Sequence, residues 1–437
     1  MRNVVVVDHT GRGHAYADLF TRTSPDVTVH LAPGCAAIAE DRVVPVTGVD
    51  IYDPTPTVAY ARSIGADYAL VAHPRPLAEG FVDAFRAAGI PAIGPDRSAA
   101  RVESSKLYMK RLCERHGIPT ARYRYFEDPE PAIAYVRDVG APVVVKCVES
   151  CQGNGVFVCD TAEEAVDAIE RLMVARDFGP GGETILVEER LVGREVLFFA
   201  IVGGEHHLML PMAVDYPRSD DGNRGVMCGG MGAFSPAPDD TPEQVERFER
   251  QILRPLLAAM RAEGLDYTGV IYAGCMLDGD ELSLIEINAR MGDPEAEVVF
   301  PRLTDDFGAI CEAILAGRLG EVPPLTVTDE CFVNVVVTQG PLGEHPGWPY
   351  GAYARGQVVT GLDRVDTERC RVFHGAVRAL PDGRVVTDGG KAVNLVGRGR
   401  TLAEATAHAY RAVAEVDFPG IRYRTDIGRV MPWDVVS

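Results

Sequence analysis

Short apolar runs alternate with helical patterns along the first part of the chain. The predicted strands of this region cover residues 4–7, 27–31 and 68–71. Because strands that alternate with helices form parallel sheets with both faces covered, the pattern predicts a doubly wound α/β domain over residues 1–100. Ligands of such sheets bind beyond the carboxyl ends of the strands, which makes residues 11–14 and 73–77 candidate ligand loops.

The middle of the chain predicts a hairpin whose two strands are joined by a glycine-containing loop. The strands cover residues 141–148 and 156–159, and residues 149–155 form a mobile tip. A helix follows, with Thr161 as its N-terminal cap and Glu164 at the reciprocal capping position.

A further strand pair is predicted within residues 270–288, and a Pro-rich passage follows later in the chain. This passage begins at Val322 and separates a central body, residues 101–322, from a C-terminal part, residues 323–437. The C-terminal part combines predicted strands with a late helix, so we expect an α+β domain there.

The charge balance and the lengths of the apolar runs narrow the class of partner. The chain has 437 residues, with 43 Lys+Arg against 63 Asp+Glu and a formal net charge of −20. Nucleic acids and anionic membranes attract cationic surfaces, so we expect neither as a partner. No apolar run approaches the ~20 residues of a membrane span, and the N-terminus lacks the apolar segment of a secretory leader. With scattered cysteines that suit a reducing compartment, we expect a cytoplasmic protein.

The strand at residues 282–288 carries a carboxylate and a carboxamide on one face. Glu286 and Asn288 are two residues apart, so their side chains point to the same side. A buried carboxylate needs a partner, and oxygen ligands at this spacing suit a hard cation such as Mg²⁺ or Mn²⁺. The alternative is a strand end that points to solvent.

Lys146 ends a predicted buried strand beside the glycine-containing loop. Its ammonium can reach a phosphate, and the backbone N–H groups around Gly153 and Gly155 can bind an anion. The alternatives are a lysine that extends into solvent at a sheet edge and an ordinary hairpin tip.

Acidic side chains end another predicted strand. Glu188 and Glu189, with Glu195 beyond them, can accept hydrogen bonds from an adenine amine or from ribose hydroxyls. A solvated acidic strand end is the alternative. The glycines of residues 229–232 indicate close backbone approach or positive φ, without specifying any chemistry.

Taken in order, these segments resemble the phosphoribosylamine–glycine ligase family (glycinamide ribonucleotide synthetase) over nearly the whole chain. The order and spacing of many segments carry the resemblance. The most specific matching stretches are Gly229-Gly-Met-Gly-Ala-Phe-Ser-Pro236, Tyr267-Thr-Gly-Val-Ile-Tyr-Ala-Gly274 and Glu286-Ile-Asn-Ala-Arg-Met-Gly-Asp-Pro-Glu295. Shorter matches are Ser105-Lys106, Val187-Glu-Glu189 and Thr387-Asp-Gly-Gly390.

The resemblance implies an ATP-grasp fold, in which two lobes clamp ATP, over residues 101–322 with the clamping lobe near residues 122–195. It implies an ATP-dependent, ADP-forming ligase that joins a small carboxylate, such as an amino acid, to an amine. The carboxylate attacks the γ-phosphate to give an acyl phosphate, and the amine then displaces phosphate to form an amide. The expected ion is Mg²⁺ or Mn²⁺, and the protein is expected to be a monomer or a homodimer.

The positions that match the family's motifs fall into groups by expected role. The expected metal ligands are Glu286 and Asn288. The expected ATP-binding residues are Lys106 and Lys146 at the phosphates, Gly153 and Gly155 in the loop, Glu188 and Glu189 beside adenine, and Glu195 beside ribose. The expected substrate-binding residues are Gly11, Arg12, His14, Arg75, Gly230, Met231, Arg290 and Asp293. Arg290 and Lys146 are the expected catalytic residues.

The resemblance breaks at positions expected to contact the amine substrate. The family's turn Gly-Asn-Gly-Gly-Arg-Glu-His-Ala is Asp8-His-Thr-Gly-Arg-Gly-His-Ala15 here. Its segment Gly-Pro-Glu-X-Pro-Leu is Ala72-His-Pro-Arg-Pro-Leu77, so two glutamates are absent. In the ATP loop, Asn154 stands where the family has a lysine.

The metal and most nucleotide positions match, whereas the substrate segments differ. The leading expectation is therefore a divergent ligase with altered substrates, as in specialised biosynthesis. The first alternative is a genuine phosphoribosylamine–glycine ligase of purine biosynthesis in which the changes are neutral. The others are a nucleotide-binding pseudoenzyme, which the absence of the loop lysine favours, and a carbamate-forming ATP-grasp enzyme.

Overall fold

A computed structural model describes residues 1–38, 40–149, 155–177, 179–349 and 351–434. The predicted loop residues Gly153 and Asn154 lie outside these ranges. Three main sheets form the described part of the chain, where no helix has both the length and the apolar composition needed to cross a membrane.

The N-terminal sheet is parallel and covered on both faces. Its strands are β1 (Arg2–Val7), β2 (Val27–Ala32), β3 (Val43–Pro45), β4 (Tyr68–Val71) and β5 (Ala92–Ile93), in the order β3-β2-β1-β4-β5. Its helices are α1 (Gly11–Thr23), α2 (Pro54–Ser63), α3 (Pro74–Glu79) and α4 (Phe81–Ala87). Val4 and Val6 join one apolar core while Val5 and Val7 join another, which explains the uninterrupted apolar run of β1.

A second, smaller sheet, here called the clamp sheet, is antiparallel. Two helices, α5 (Arg101–Ser104) and α6 (Lys106–His116), lead into it. Its strands are β6 (Tyr123–Phe126), β7 (Val143–Cys147), β8 (Val156–Cys159) and β9 (Ile185–Glu189), in the order β6-β9-β7-β8. Its helices are α7 (Pro129–Val139) and α8 (Ala162–Ile169), and the latter continues as a π-helical turn over Glu170–Val174. They pack on the sheet around a core of their own. The predicted β7–β8 hairpin and the Thr161–Glu164 capping box are confirmed.

The third sheet is the largest, and all its paired strands are antiparallel. Its nine strands are β10 (Arg194–Gly203), β11 (His206–Asp215), β14 (Gly232–Ser235), β15 (Thr268–Asp278), β16 (Glu281–Asn288), β17 (Cys331–Gln339), β19 (Cys370–His374), β22 (Lys391–Gly399) and β23 (Ile421–Arg422). Their order is β16-β15-β10-β11-β14-β17-β22-β19, with β23 paired to β17.

The other elements lie around this large sheet. The remaining strands are β12 (Arg218–Asp220), which pairs with β13 (Arg224–Met227), and the trio β18 (Val358–Val359), β20 (Val377–Ala379) and β21 (Val385–Thr387). The remaining helices are α9 (Pro242–Phe248), α10 (Arg254–Ala262), α11 (Ala296–Val299), α12 (Phe307–Leu315) and α13 (Leu402–Glu415).

Pairing of β14 with β17 joins the central body to the C-terminal part of the chain. Ala233 pairs with Asn334, and Phe234 pairs with Val333. The large sheet therefore continues across the boundary that we predicted near Val322. As a result, side chains from β17 and β22 lie next to loops of the central body.

Close packing of α13 on β22 requires a residue without a side chain at Gly397. A methyl group there would lie 2.2 Å from Ala405 O and 2.4 Å from Ala409 N, which are helix backbone atoms that cannot rotate away. Gly397→Ala should lower the free energy of unfolding of this region by about 1–3 kcal/mol through overpacking. Urea unfolding followed by the fluorescence of Trp348 and Trp433 measures this change. The exposed helix substitution Ala407→Ser is the control, and an equal midpoint for both variants would contradict the packing account.

Candidate active site

Two lysines share one carboxylate at the face of the clamp sheet. Lys146 ends the apolar part of β7 and Glu188 lies on the adjacent β9, and their side chains are 7% and 3% exposed. Glu188 Oε2 is 3.0 Å from Lys146 Nζ and 3.2 Å from Lys110 Nζ of α6. Glu188 Oε1 is also buried and lacks a hydrogen-bond partner among the described residues. One oxygen of this carboxylate is therefore available to a donor on a ligand.

Glu189 lies on the opposite side of β9 from Glu188, because successive strand residues alternate. It accepts hydrogen bonds from the N–H and Nε of Arg122 at 2.8 and 2.7 Å. These bonds engage both carboxylate oxygens of Glu189, and its role beside adenine stays a prediction.

The start of α6 adjoins the end of β7, beside the predicted phosphate loop. Lys106 N–H donates to Val148 O at 2.9 Å, so Lys106 stands where the chain enters that loop. Gly155 is buried at the other end, where its carbonyl accepts a hydrogen bond from Cys147 N–H at 2.9 Å. Gly153 lies outside the described residues, and its contact with phosphate stays a prediction.

A chain of polar groups continues from the end of β16. Asn288 Nδ2 donates to Glu286 Oε1 at 3.1 Å, and Arg290 Nη2 donates to Asn288 Oδ1 at 2.9 Å. Glu103 of α5 holds Arg290 through Nε at 3.1 Å and also accepts the Ala289 N–H at 2.8 Å. The predicted metal ligands and the predicted catalytic arginine are thus members of one network.

A second carboxylate lies beside Glu286 on the neighbouring strands. Gly274 of β15 pairs with Glu286, and a methyl group at Gly274 would be 3.4 Å from Glu286 Cγ and 3.8 Å from Glu195 Oε1. Glu195 is exposed, but desolvation by the surrounding protein and the negative charge of Glu286 raise the pKa of its carboxyl to about 7. The positive charge of Lys146 acts in the opposite direction. Thr120 Oγ1 accepts a hydrogen bond from Lys110 Nζ at 2.8 Å and donates one to Leu284 O of β16 at 2.7 Å, so the lysines that share Glu188 adjoin the strand that carries Glu286.

The loop after β1 contains a buried ion pair where the sequence departs from the family. Asp8 is fully buried, and its Oδ2 accepts a hydrogen bond from Arg12 Nε at 2.6 Å. Arg12 also donates from Nη1 to Met291 O at 3.1 Å, next to Arg290. Burial opposes ionisation of Asp8, but Arg12 and two nearby imidazoles outweigh it and lower the pKa of the carboxyl to about 2. Arg12 is therefore a fixed cation.

The two imidazoles belong to His9 and His73. Their ring centroids are 4.9 Å apart, and His73 Nδ1 accepts a hydrogen bond from Arg75 N–H at 3.2 Å. Burial, together with Arg12 and Arg290, lowers the pKa of His73 to about 3. His73 is consequently neutral at physiological pH and adjoins two guanidinium groups.

Three residues predicted to bind substrate have partners within the protein. Both ring nitrogens of His14 are engaged, because Nε2 lies 2.7 Å from Glu40 Oε1 and Nδ1 accepts the His374 N–H at 2.9 Å. The Arg75 side chain is 53% exposed and pairs with Glu79 at 2.7 Å. Met231 is fully buried, and its Sδ accepts a hydrogen bond from Trp348 Nε1 at 3.1 Å. These contacts lie within the chain, and binding of substrate by the three side chains stays a prediction.

Backbone groups of the two predicted substrate loops meet a lysine of β22. Lys391 Nζ donates to Gly229 O at 2.5 Å and to Asp293 O at 2.9 Å. Burial opposes ionisation of Asp293, but Lys391 and Arg12 outweigh it and lower its pKa. Gly230 has φ of 87°, and a methyl group there would be 2.4 Å from Pro294 Cδ, so the loop is tightly packed against this segment.

Gly11 meets the C-terminal part of the chain at the start of α1. A methyl group at Gly11 would lie 2.2 Å from Asn394 Nδ2 and 2.5 Å from Glu297 Oε1. The glycine is therefore explained by close approach between parts of the protein, and its contact with substrate stays a prediction.

Sequence reasoning missed several residues of this site, including Lys110, Lys391 and Glu103. One signal was present for the two lysines. Lys106, Lys110, Lys146 and Lys391 are the only lysines in a sequence whose other cations are all arginine, and the structure brings all four near the cleft. A compact ammonium fits confined sites that a guanidinium does not, so a lysine in an arginine-rich sequence is itself a candidate site residue. No comparable signal distinguished Glu103 from other surface acids.

Family models match three consecutive parts of the chain. The N domain of phosphoribosylglycinamide synthetase matches residues 2–103, its ATP-grasp (A) domain matches residues 104–296, and its C domain matches residues 344–430. The phosphoribosylamine–glycine ligase of Vibrio cholerae is 38% identical over 426 residues, which cover 97% of each chain. That of Allochromatium vinosum is 37% identical with the same coverage.

Solved structures show the same fold. The phosphoribosylamine–glycine ligase of Thermotoga maritima superimposes with a TM-score of 0.82 at 28% identity, covering 97% of this chain and 99% of that one. The biotin carboxylase domain of a Hydrogenobacter thermophilus 2-oxoglutarate carboxylase, solved with MgADP and bicarbonate, gives 0.69 at 18% identity over 97% and 91% of the two chains. The latter likeness shows the fold alone.

The matched domains, the clamp sheet and the opposed lysines and carboxylates together define an ATP-grasp ligase, an enzyme that forms a C–N bond. The chain belongs to the phosphoribosylglycinamide synthetase family. The predicted α/β ATP-grasp fold and the family resemblance are confirmed. These findings agree with the family's own reaction better than with the altered substrates that we expected first.

Loss of the Lys146 ammonium should weaken ATP binding. Lys146→Ala would remove the predicted charge-assisted contact with phosphate and leave Glu188 negative, so we expect the Kd for ATP to rise by about 10-fold or more. Isothermal titration calorimetry measures the Kd, and circular dichroism checks the fold. Arg137→Ala, an exposed cation on α7, is the control. Unchanged affinity in Lys146→Ala would remove this lysine from the nucleotide site.

Proposed function

We propose that this protein is a phosphoribosylamine–glycine ligase, which joins glycine to phosphoribosylamine at the expense of ATP. The observation that carries the proposal is the opposition of two charged surfaces. Lys146 lies on the clamp sheet, and Glu286, Asn288 and Arg290 follow one another at the end of β16. A cationic surface facing oxygen ligands suits a nucleotide triphosphate and its divalent ion.

The reaction has two steps in which atoms and charge balance. A carboxylate oxygen of glycine attacks the γ-phosphorus, and the bond to the β-phosphate oxygen breaks, which gives glycyl phosphate and ADP. The amine of phosphoribosylamine then attacks the glycyl carbonyl carbon, the bond to the phosphate oxygen breaks, and the departing phosphate takes up the proton that the amine loses, leaving an amide. Lys146 would neutralise phosphate charge, and Arg290, held rigid by Glu103, would orient the carboxylate. Such catalysis depends on positioning and electrostatics, so it requires no side-chain nucleophile.

Glu286 and Asn288 would hold the divalent ion that accompanies ATP. Their oxygen donors are of the type that Mg²⁺ and Mn²⁺ prefer, and Gly274 leaves open space beside Glu286. Within the described residues no cluster of three or more His, Cys, Asp or Glu side chains could hold a metal on its own. The ion would thus be shared with nucleotide phosphates, where it supplies charge neutralisation.

Two carboxylates can accept hydrogen bonds from the nucleoside part of ATP. Glu188 Oε1 is buried without a partner among the described residues, so it can accept a hydrogen bond from the adenine amine. Glu195 is exposed near Lys146 and can accept hydrogen bonds from ribose hydroxyls.

The change at residues 8 and 13 is compatible with the family's reaction. A methyl group at Gly13 would be 2.9 Å from Asp8 Cβ and 2.6 Å from Asp8 O. A glutamate at position 13 would therefore crowd Asp8, and the acid of this turn stands at position 8 here but at position 13 in the family's pattern. Asp8 still holds the arginine, Arg12, that the family's turn contains.

A second candidate function is ligation of glycine or another amino acid to a different amine. It is favoured by His73, which stands beside Arg12 and Arg290 in a segment that has lost the family's glutamate. An imidazole with its Nδ1 engaged offers one N–H donor where a glutamate offers acceptors. Sites that rely on such polar contacts discriminate strongly between substrates.

An activity assay separates these two functions. Purified protein with ATP, Mg²⁺, glycine and freshly generated phosphoribosylamine should release ADP at an ordinary rate, about 1–100 s⁻¹. Coupled ADP detection and mass spectrometry of the amide measure the reaction. ADP release that does not depend on phosphoribosylamine but requires another amine would instead establish the second candidate function.

Replacement of the proposed metal ligand tests the chemistry of the site. Glu286→Gln should lower kcat by about 100-fold or more, because a neutral amide binds a divalent ion poorly, while the thermal unfolding midpoint stays near that of the parent. The control is Glu281→Gln at the exposed other end of β16. Full activity of Glu286→Gln would exclude this residue from the metal site.

A further inference from the structure

Lys110 is a buried lysine to which the two-step reaction assigns no task. Its side chain is 0% exposed, on the same face of α6 as Lys106 one turn earlier. Burial lowers its pKa even though Glu188 opposes the effect. A charge in such a position is costly unless it is paired, and the contacts of this ammonium indicate what it does.

The ammonium of Lys110 does not have a donor left for a ligand. It donates to Thr120 Oγ1 at 2.8 Å and to Ala121 O at 3.2 Å, and Glu188 Oε2 lies 3.2 Å away. These three oxygens satisfy its three N–H groups. Lys110 consequently acts on ATP only through another residue, and that residue is Glu188.

Glu188 Oε2 is shared between Lys110 and Lys146, at 3.2 and 3.0 Å. The three groups together carry a net charge of about +1 when each has its ordinary protonation state. Without Lys110, Lys146 and Glu188 would form a neutral pair, and Lys146 would be bound to that carboxylate alone. Among the described residues, Lys146 pairs with Glu188 through one oxygen, so the Lys146 ammonium keeps N–H donors for a phosphate.

We propose that Lys110 is a positioning residue which, by sharing Glu188, leaves Lys146 cationic and available to the triphosphate of ATP. The inference rests on the proposed function, because it takes ATP as the ligand of Lys146. The two oxygens of Glu188 then have different roles. Oε2 partly neutralises the charge of the two lysines, and Oε1 remains available to the adenine amine.

Charge rescue distinguishes this role from a structural one. Lys110→Met removes one positive charge and should raise the Kd for MgATP by about 10-fold. Adding Glu188→Gln restores the net charge of +1, and the double variant should bind inorganic tripolyphosphate within about threefold of the parent. A purely structural lysine would give a double variant no better than Lys110→Met. Arg111→Met, which removes an exposed positive charge from the same helix, is the control and should leave both affinities unchanged.

Tripolyphosphate is used because it lacks adenine, so loss of the Glu188 contact with the base does not confuse the measurement. If Lys110→Met fails to fold, Glu188→Gln alone decides the matter. That variant carries an extra positive charge beside the phosphates and should bind tripolyphosphate more tightly than the parent, whereas weaker binding would overturn the proposal. Failure of the parent protein to bind MgATP would refute the proposed function instead. Normal MgATP binding by both the parent and Lys110→Met would refute this inference alone.

Discussion

Opposite charges on the two sides of the cleft are the constraint on which the rest of this structure depends. The clamp sheet presents Lys146, whose charge is only partly balanced by Glu188, and the large sheet presents Glu286 and Glu195. On one side Lys110 and Lys146 share a single carboxylate, and on the other Glu195 and Glu286 both lie beside Gly274. A nucleotide with its divalent ion carries charges of both signs and complements both surfaces.

The continuous large sheet explains how distant parts of the chain reach this cleft. β14 pairs with β17, so residues of the C-terminal part lie beside the loops that we predict to bind substrate. Lys391 of β22 then holds the carbonyls of Gly229 and Asp293, while Asn394 approaches Gly11. Arg12, bound by Asp8, completes this end of the site with a cation fixed next to the Arg290 segment. The N-terminal, central and C-terminal parts therefore all contribute residues to this region.

Much of the fold could be predicted from the sequence, because apolar runs such as Val4–Val7 report burial directly and the capping pair Thr161–Glu164 marks a helix start. The polar pair Glu286 and Asn288 was also found, since residues two apart on a strand share a face. The environments of His14, Arg75 and Met231 were not predictable, because their partners Glu40, Glu79 and Trp348 depend on tertiary packing. Lys110 was missed because a lysine in a helix pattern normally indicates a solvated face, and only the fold reveals that this face is buried. Likewise, no local pattern specifies that β14 pairs with β17.

The most direct measurement of the central claim is a crystal structure with Mn²⁺ and a non-hydrolysable ATP analogue, in which anomalous scattering locates the ion. We expect an anomalous peak within about 2.3 Å of oxygens of Glu286 and Asn288, with the analogue's phosphates between that ion and Lys146. A nucleotide bound elsewhere, or an ion that leaves Glu286 and Asn288 bonded only to protein groups, would contradict it.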